Sequence, residues 1–182
     1  LWAVPEQLED QSADVVYWKV AKFLRLALSA SPNVLELLWS PKVVEIDTLG
    51  EELLAIRDAF LSKLVYQSHA GYALSQYRRL RKRYEETGEY DAKTASHLTR
   101  LLGFAIRVLE TGEVEVAVEE DRDRLLALRR GDISWETWNG WRAELVDELE
   151  AAHADSDLPD RPDYDTVNDF LIRARRSAVD GV

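Results

Sequence analysis

The chain has 182 residues, of which 46% are hydrophobic and 31% are charged, the balance of an ordinary globular domain. Its net charge of −11 disfavours general nucleic-acid binding, because an acidic protein repels phosphate at long range. The absence of cysteine excludes disulfides and thiolate metal sites, and the chain has no apolar run of about 18 residues that could cross a membrane.

The N-terminal residues predict little regular structure before the first helix. Residues 1–13 are expected to form a loop, whereas residues 14–18 are β-branched and aromatic and predict one short strand. The chain starts at Leu1 and contains no methionine, although an open reading frame normally begins with one. We therefore expect the sequence to be a fragment of a longer chain.

Apolar residues at helical spacing, bounded by capping residues and glycines, predict helices along the rest of the chain. Thr48 has capping-box spacing with Glu51 and is expected to begin the third helix. Alternating valines over residues 113–119 predict a short strand or an irregular crossing segment. The fold class is therefore mainly α, a helical bundle of about seven or eight helices with one or two short strands. The predicted helices cover residues 20–28, 34–39, 48–57, 64–86, 92–110, 121–130, 135–153 and about 164–176.

Five cations crowd the end of the helix predicted over residues 64–86, close to Tyr77 and Tyr84. The helix dipole stabilises cations at this end whatever their function, so a solvated helix end is one interpretation. Contact with RNA phosphates, with the two tyrosines as stacking surfaces, is the other. The five cations, called the basic segment below, are Arg78, Arg79, Arg81, Lys82 and Arg83.

Three further cationic residues share one face of the next predicted helix. Lys93, His97 and Arg100 stand at positions i, i+4 and i+7, away from an apolar stripe that includes Leu98 and Leu101. Together they could cradle a triphosphate. A solvated polar face is the alternative interpretation of the same spacing.

The remaining patterns are interpreted as structural. Trp135, Trp138 and Trp141 follow helical spacing, which is typical of packing rather than of a ligand cage. Paired aspartates such as Asp163 and Asp165 stand at predicted helix starts, where carboxylates cap the helix. No histidine has a second histidine at i+4, so a zinc site is not expected.

A set of short stretches occurs along the chain in a fixed order. They are KFLRLAL at 22–28, SPNVLE at 31–36, SP at 40–41, FLSK at 60–63, GYALSQ at 71–76, YDAK at 90–93, HLTRLL at 97–102, LETG at 109–112 and LLALRRG at 125–131. This ordered set resembles the predicted nucleotidyltransferases of the DNA polymerase β superfamily, in the bacterial and phage group linked to RNA repair. The resemblance covers about residues 14–176.

In that family a Gly-Ser turn holds the triphosphate, and an Asp-x-Asp strand with a third carboxylate holds two Mg²⁺ ions. None of the eight glycines of this chain is followed by serine, and no Asp-x-Asp follows such a turn. The resemblance therefore implies that residues 1–18 are a remnant of an upstream catalytic core and that residues 19–182 form a helical domain. It also implies that Asp14 stands where the family has its third, metal-binding carboxylate.

The function implied by the resemblance is that of the helical C-terminal part of a nucleotidyltransferase. The complete enzyme would use Mg²⁺ to transfer a nucleotide from an NTP to an acceptor, RNA, with Lys93, His97 and Arg100 facing the NTP phosphates. The alternative is a non-catalytic helical module that binds RNA or another partner. This chain alone is predicted to be inactive, and a cytoplasmic location without membrane association is expected. The nucleotide, the acceptor and the oligomeric state are left open.

Overall fold

The computed structural model describes residues 7–10, 15–116 and 121–180. The chain is 73% helical, with eight α helices and one two-stranded sheet in the described residues, which confirms the predicted mainly α fold class. None of the helices in these ranges is long and apolar enough to span a bilayer. The elements are β1 (Gln7–Asp10), β2 (Val15–Trp18), α1 (Val20–Leu28), α2 (Pro32–Leu35), α3 (Thr48–Ala55), α4 (Leu64–Thr87), α5 (Ala92–Thr111), α6 (Arg122–Arg130), α7 (Trp135–Asp155) and α8 (Tyr164–Asp180).

The chain divides into two compact units. The first unit consists of Leu1–Phe60 together with Pro162–Val182, and the second unit is Leu61–Arg161. The first therefore holds the sheet with α1, α2, α3 and α8, and the second holds α4 to α7.

The sheet of the first unit pairs β1 with β2 in antiparallel register, with Gln7 opposite Trp18. Strand β2 lies within the residues for which a strand was predicted. The loop predicted over residues 1–13 is wrong for β1, because cross-strand hydrogen bonds to β2, rather than a local pattern, give these residues their extended form.

The core of the first unit forms where α8 meets α1 and α3. Leu24 and Ala27 of α1 are buried, as are Val167 and Phe170 of α8. Such burial of apolar side chains contributes about 1.5–3 kcal/mol for each large one and accounts for the association of these short helices. At the end of this unit, the Asp163 N–H donates a hydrogen bond to the Ala59 carbonyl at 2.8 Å.

Helix α3 begins at Thr48, but its N-cap is the preceding residue. The Asp47 carboxylate accepts a hydrogen bond from the Gly50 N–H at 2.7 Å. The cap predicted at Thr48 is therefore wrong by one residue. The reason is that an aspartate satisfies a free N–H of the first turn and also places its negative charge at the positive end of the helix dipole.

The second unit is built around α5, which contacts α4, α6 and α7. Leu98, Leu101 and Leu102 of α5 are buried, and so is Trp138 of α7. The indole N–H of Trp138 donates to the Thr99 hydroxyl of α5 at 3.1 Å. The glycines that end α4, α5 and α6 have φ values between +70° and +82°, which avoid strain only without a side chain. They are Gly88, Gly112 and Gly131.

The segment after α5 was predicted to be a short strand or an irregular crossing. Residues 113–116 form neither helix nor strand, and residues 117–119 lie outside the described part of the chain. Glu115 forms an ion pair with Arg107 of α5, so this piece of chain lies against the helix that precedes it.

Candidate functional site

Helix α5 carries the three cationic residues of the first candidate site. Asp91 begins the helix, since its carboxylate accepts a hydrogen bond from the Thr94 N–H at 2.9 Å. From there α5 runs for 20 residues through the second unit, with one side buried in the core. Residues on the opposite side are held by a rigid element and not by a loop.

The structure places Lys93, His97 and Arg100 on one side of α5, as their spacing predicts. The Lys93 side chain is exposed, whereas His97 and Arg100 are half-buried. The imidazole of His97 meets the ring of Tyr72 edge-on, with the ring centroids 6.1 Å apart and the planes at 88°. With a rise of 1.5 Å per residue, the three side chains span about 10 Å along the helix. We call them the α5 cation face.

The α5 cation face continues into Arg107, which the sequence interpretation missed. Arg107 follows Arg100 by seven residues and so lies on the same side, and both border a small cavity of about 20 Å³ beside Gly103. Its spacing of seven residues from Arg100 is the signal in the sequence from which Arg107 could have been predicted. However, Glu115 and Asp121 line the same cavity, and Glu115 pairs with Arg107. This end of the face is therefore partly neutralised, and positive charge is concentrated toward Lys93.

A buried histidine lies close to the same helix. His69 of α4 is fully buried, donates its Nδ1–H to the Val65 carbonyl at 3.0 Å, and stacks on Phe104 with ring centroids 5.4 Å apart. Its Nε2 has no hydrogen-bond partner in the described residues. Burial, with a smaller contribution from the charge of Arg100, lowers the pKa of His69 from 6.5 to about 4 against the opposing effect of the Val65 carbonyl. The imidazole is therefore neutral at neutral pH.

The basic segment is fully on the surface of α4. Two of its members form ion pairs one turn along the helix, Arg81 with Glu85 at 2.7 Å and Lys82 with Glu86 at 3.8 Å. The three remaining arginines form no ion pair within the described residues and can contact an external anion without first breaking one. These are Arg78, Arg79 and Arg83.

The two tyrosines expected to be stacking surfaces are already engaged. Tyr84 stacks on Trp135 with centroids 4.7 Å apart and donates its hydroxyl proton to Glu136 at 2.7 Å. This hydrogen bond raises the pKa of Tyr84 and lowers the pKa of Glu136. Tyr77 lies beneath the guanidinium of Arg142 at 4.1 Å. Tyr84 is thus a packing residue, while Tyr77 also borders an open cavity between α4, α5 and α7.

The resemblance implies a metal site to which Asp14 contributes. Asp14, expected to be the third carboxylate, lies outside the described residues. Within residues 7–10, 15–116 and 121–180 no three carboxylate or imidazole groups converge as the ligands of a metal ion do.

Comparison with known proteins identifies one family. The model of the RNA repair pathway DNA polymerase beta family matches residues 3–173. No curated protein and no solved structure matches the chain. The family match covers α4 and α5 completely and therefore includes the α5 cation face and the basic segment.

Proposed function

Because the chain belongs to the RNA repair pathway DNA polymerase beta family, we propose that it forms the helical part of a nucleotidyltransferase. In this role α5 binds the phosphates of an NTP, and the acceptor of the nucleotide is RNA. The groups that carry out the transfer are supplied by parts of the complete enzyme other than the residues described above.

The observation that carries this proposal is the α5 cation face. A triphosphate is a concentrated negative charge, and a chain with a net charge of −11 can hold it only where cations are gathered locally. Lys93 supplies a mobile point charge, and Arg100 supplies a planar fork that suits phosphate oxygens. His97, held edge-on by Tyr72, adds a ring N–H donor between them. All three project from one helix and do not contribute to the buried apolar side of α5.

The test is a calorimetric titration of an NTP into the full-length protein and its Arg100→Ala variant. Loss of a charge-assisted hydrogen bond should weaken binding by about 1.5–3 kcal/mol, which is about tenfold or more in Kd. Arg129→Ala is the matched control, because Arg129 is an exposed arginine on α6 without an ion pair among the described residues. Unchanged NTP affinity after replacement of Lys93, His97 and Arg100 together by alanine would contradict the proposal.

The second candidate function, RNA binding without catalysis, is supported by the basic segment. Three exposed arginines without ion pairs in the described residues give α4 a local positive surface on an acidic protein. Replacement of Arg78, Arg79 and Arg83 by glutamine should weaken binding of single-stranded RNA and flatten its salt dependence, by about 0.7 in the log–log slope for each phosphate that the protein no longer neutralises. An RNA affinity that is insensitive to these changes would remove the basic segment from both candidate functions.

A further inference from the structure

The second unit contains an apolar cavity that neither candidate function uses. It has a volume of about 270 Å³ and lies between α4, α5 and α7. Its floor is formed by Ala70 and Ala73 of α4, whose small side chains leave the space open, together with Leu98 and Leu102 of α5. Tyr66 and Tyr77 of α4, about 16 Å apart along the helix, form its two ends.

One end of the cavity is cationic. The guanidinium of Arg142 lies 4.1 Å from the ring of Tyr77, and its Nε donates to the Asn139 side chain at 3.2 Å. These two contacts fix the plane of the guanidinium and leave its terminal nitrogens without a partner among the described residues. The basic segment begins at the next residue of α4, Arg78, and continues along that helix away from the cavity.

The other end of the cavity is acidic. Glu150 lies two turns beyond Arg142 on α7, about 12 Å along the axis, and its side chain lines the cavity. It forms no hydrogen bond or ion pair with the described residues. At the same end the ring of Tyr66 is held flat against His153, with centroids 4.2 Å apart and planes at 17°. A rigid aromatic wall therefore stands beside a carboxylate that can accept hydrogen bonds from a ligand.

We propose that this cavity binds one base of a single-stranded RNA. The apolar floor and the ring of Tyr66 accept the faces of a planar base, since stacking and apolar contact do not depend on base identity. Glu150 accepts a hydrogen bond from an amino group on the base edge, and Arg142 meets the adjoining phosphate. The strand then continues over Arg78, Arg79 and Arg83.

The size and charge of the cavity favour this ligand over a partner protein. The cavity volume of about 270 Å³ is just below the roughly 300–1,000 Å³ of pockets for drug-sized molecules, so the cavity suits a small planar group better than the long apolar face of a helix. Arg142, an anion-binding group at one end, and Glu150, an acceptor for amino groups at the other end, match the phosphate and the base edge of a nucleotide. A purely apolar side chain would use neither Arg142 nor Glu150.

The cavity is distinct from the α5 cation face. Leu98 and Leu102, which line the cavity, are about half a helical turn away from Lys93 and Arg100 around α5. The RNA base and the NTP phosphates therefore approach opposite sides of that helix. The inference rests on the proposal that the basic segment contacts RNA, and it adds the site that holds a base.

The experiment is fluorescence anisotropy with a labelled single-stranded oligoadenylate and the Ala70→Phe variant, whose new ring fills the cavity. RNA affinity should fall roughly 5- to 150-fold, the equivalent of removing one stacked base. Ala151→Phe is the matched control, because Ala151 is exposed on the side of α7 that faces away from the cavity, and it should bind as wild type. An oligonucleotide of the same length with abasic sugars keeps the phosphates only, and its affinity should be equal for both variants and wild type.

A second variant tests the proposal independently in case Ala70→Phe does not fold. Arg142→Gln shortens the side chain modestly, removes its charge, and should weaken oligoadenylate binding about tenfold, with thermal unfolding used to verify the fold. If Ala70→Phe and Arg142→Gln bind RNA as tightly as wild type while replacement of Arg78, Arg79 and Arg83 weakens it, the cavity does not hold a base. RNA binding by the basic segment would then stand, and the cavity would serve an apolar group of a protein partner. If wild type does not bind RNA, both the inference and the RNA part of the proposed function are wrong.

Discussion

The buried histidine makes the stability of the second unit depend on pH. His69 is fully buried, and its pKa of about 4 in the folded chain is well below the ordinary value of 6.5 that applies after unfolding. Between these values the unfolded chain binds a proton that the folded chain does not. The stabilisation is thus fully present above about pH 6.5 and is lost as the pH falls toward 4.

The size of this effect follows from the two pKa values. Each pKa unit corresponds to 1.36 kcal/mol, so protonation of His69 removes about 3 kcal/mol in total and about 2 kcal/mol between pH 7 and pH 5. Urea unfolding, followed by circular dichroism at a series of pH values, measures the free energy of unfolding directly. Carboxylates also titrate toward the acidic end, so the comparison must be made with a variant that lacks only the imidazole.

His69→Phe provides that comparison. Its ring can still stack on Phe104, but it has no proton to gain, so its free energy of unfolding should fall by about 2 kcal/mol less than that of wild type over the same pH range. Leu101→Ala is the control, because it destabilises the same core and keeps the histidine, and it should show the wild-type pH dependence. Equal pH slopes for wild type and His69→Phe would refute the assignment of this dependence to His69.

Three further predictions concern the core, a helix cap and the activity of the chain. Trp138→Ala should lower the free energy of unfolding by about 3–5 kcal/mol in a urea titration. The substitution leaves a cavity in the core and removes the indole partner of the Thr99 hydroxyl. A decrease below about 1 kcal/mol would contradict the burial of the indole. Ser134→Ala should cost about 1 kcal/mol, because the Ser134 hydroxyl accepts from the Thr137 N–H at the start of α7, and Ser134→Asp should restore the stability. The purified chain, incubated with labelled NTP, Mg²⁺ and RNA, should transfer no label, because its sequence lacks a Gly-Ser turn followed by Asp-x-Asp. Metal-dependent labelling of the RNA that persists after repurification would contradict this prediction.

Local sequence signals were sufficient for most of the helices and for their ends. The caps Asp91 and Ser134 lie directly before the helices predicted over residues 92–110 and 135–153, and Gly88 and Gly112 follow the predicted ends of α4 and α5 by two residues. Such signals are reliable because capping and left-handed glycine conformations are interactions within a few residues of the chain. For α3 the predicted cap was Thr48 and the observed cap is Asp47. Both residues have a side-chain oxygen that can accept a hydrogen bond from an N–H of the first helical turn, so the local signal did not distinguish them.

The arrangement of the candidate sites was predictable only in part. Spacing along one helix correctly predicts that Lys93, His97 and Arg100 share a side of α5, because the helical repeat alone determines which side a residue occupies. Their role toward an NTP stays a proposal. The basic segment was also visible in the sequence, but the division between its paired and unpaired cations depends on Glu85 and Glu86.

Sequence by itself determined the mainly α fold class, the positions of most helices and the family of this chain, since each depends on local pattern or on motifs in order. Tertiary structure alone decided the features that depend on contacts between distant residues. Strand β1 exists because β2 pairs with it, and His69 has a depressed pKa because other helices exclude water from it. The cavity between Tyr66 and Tyr77 exists because α4, α5 and α7 meet around two alanines. The hydrophobic pattern of one helix does not predict the distance between three helices, because that distance depends on how their side chains pack against one another.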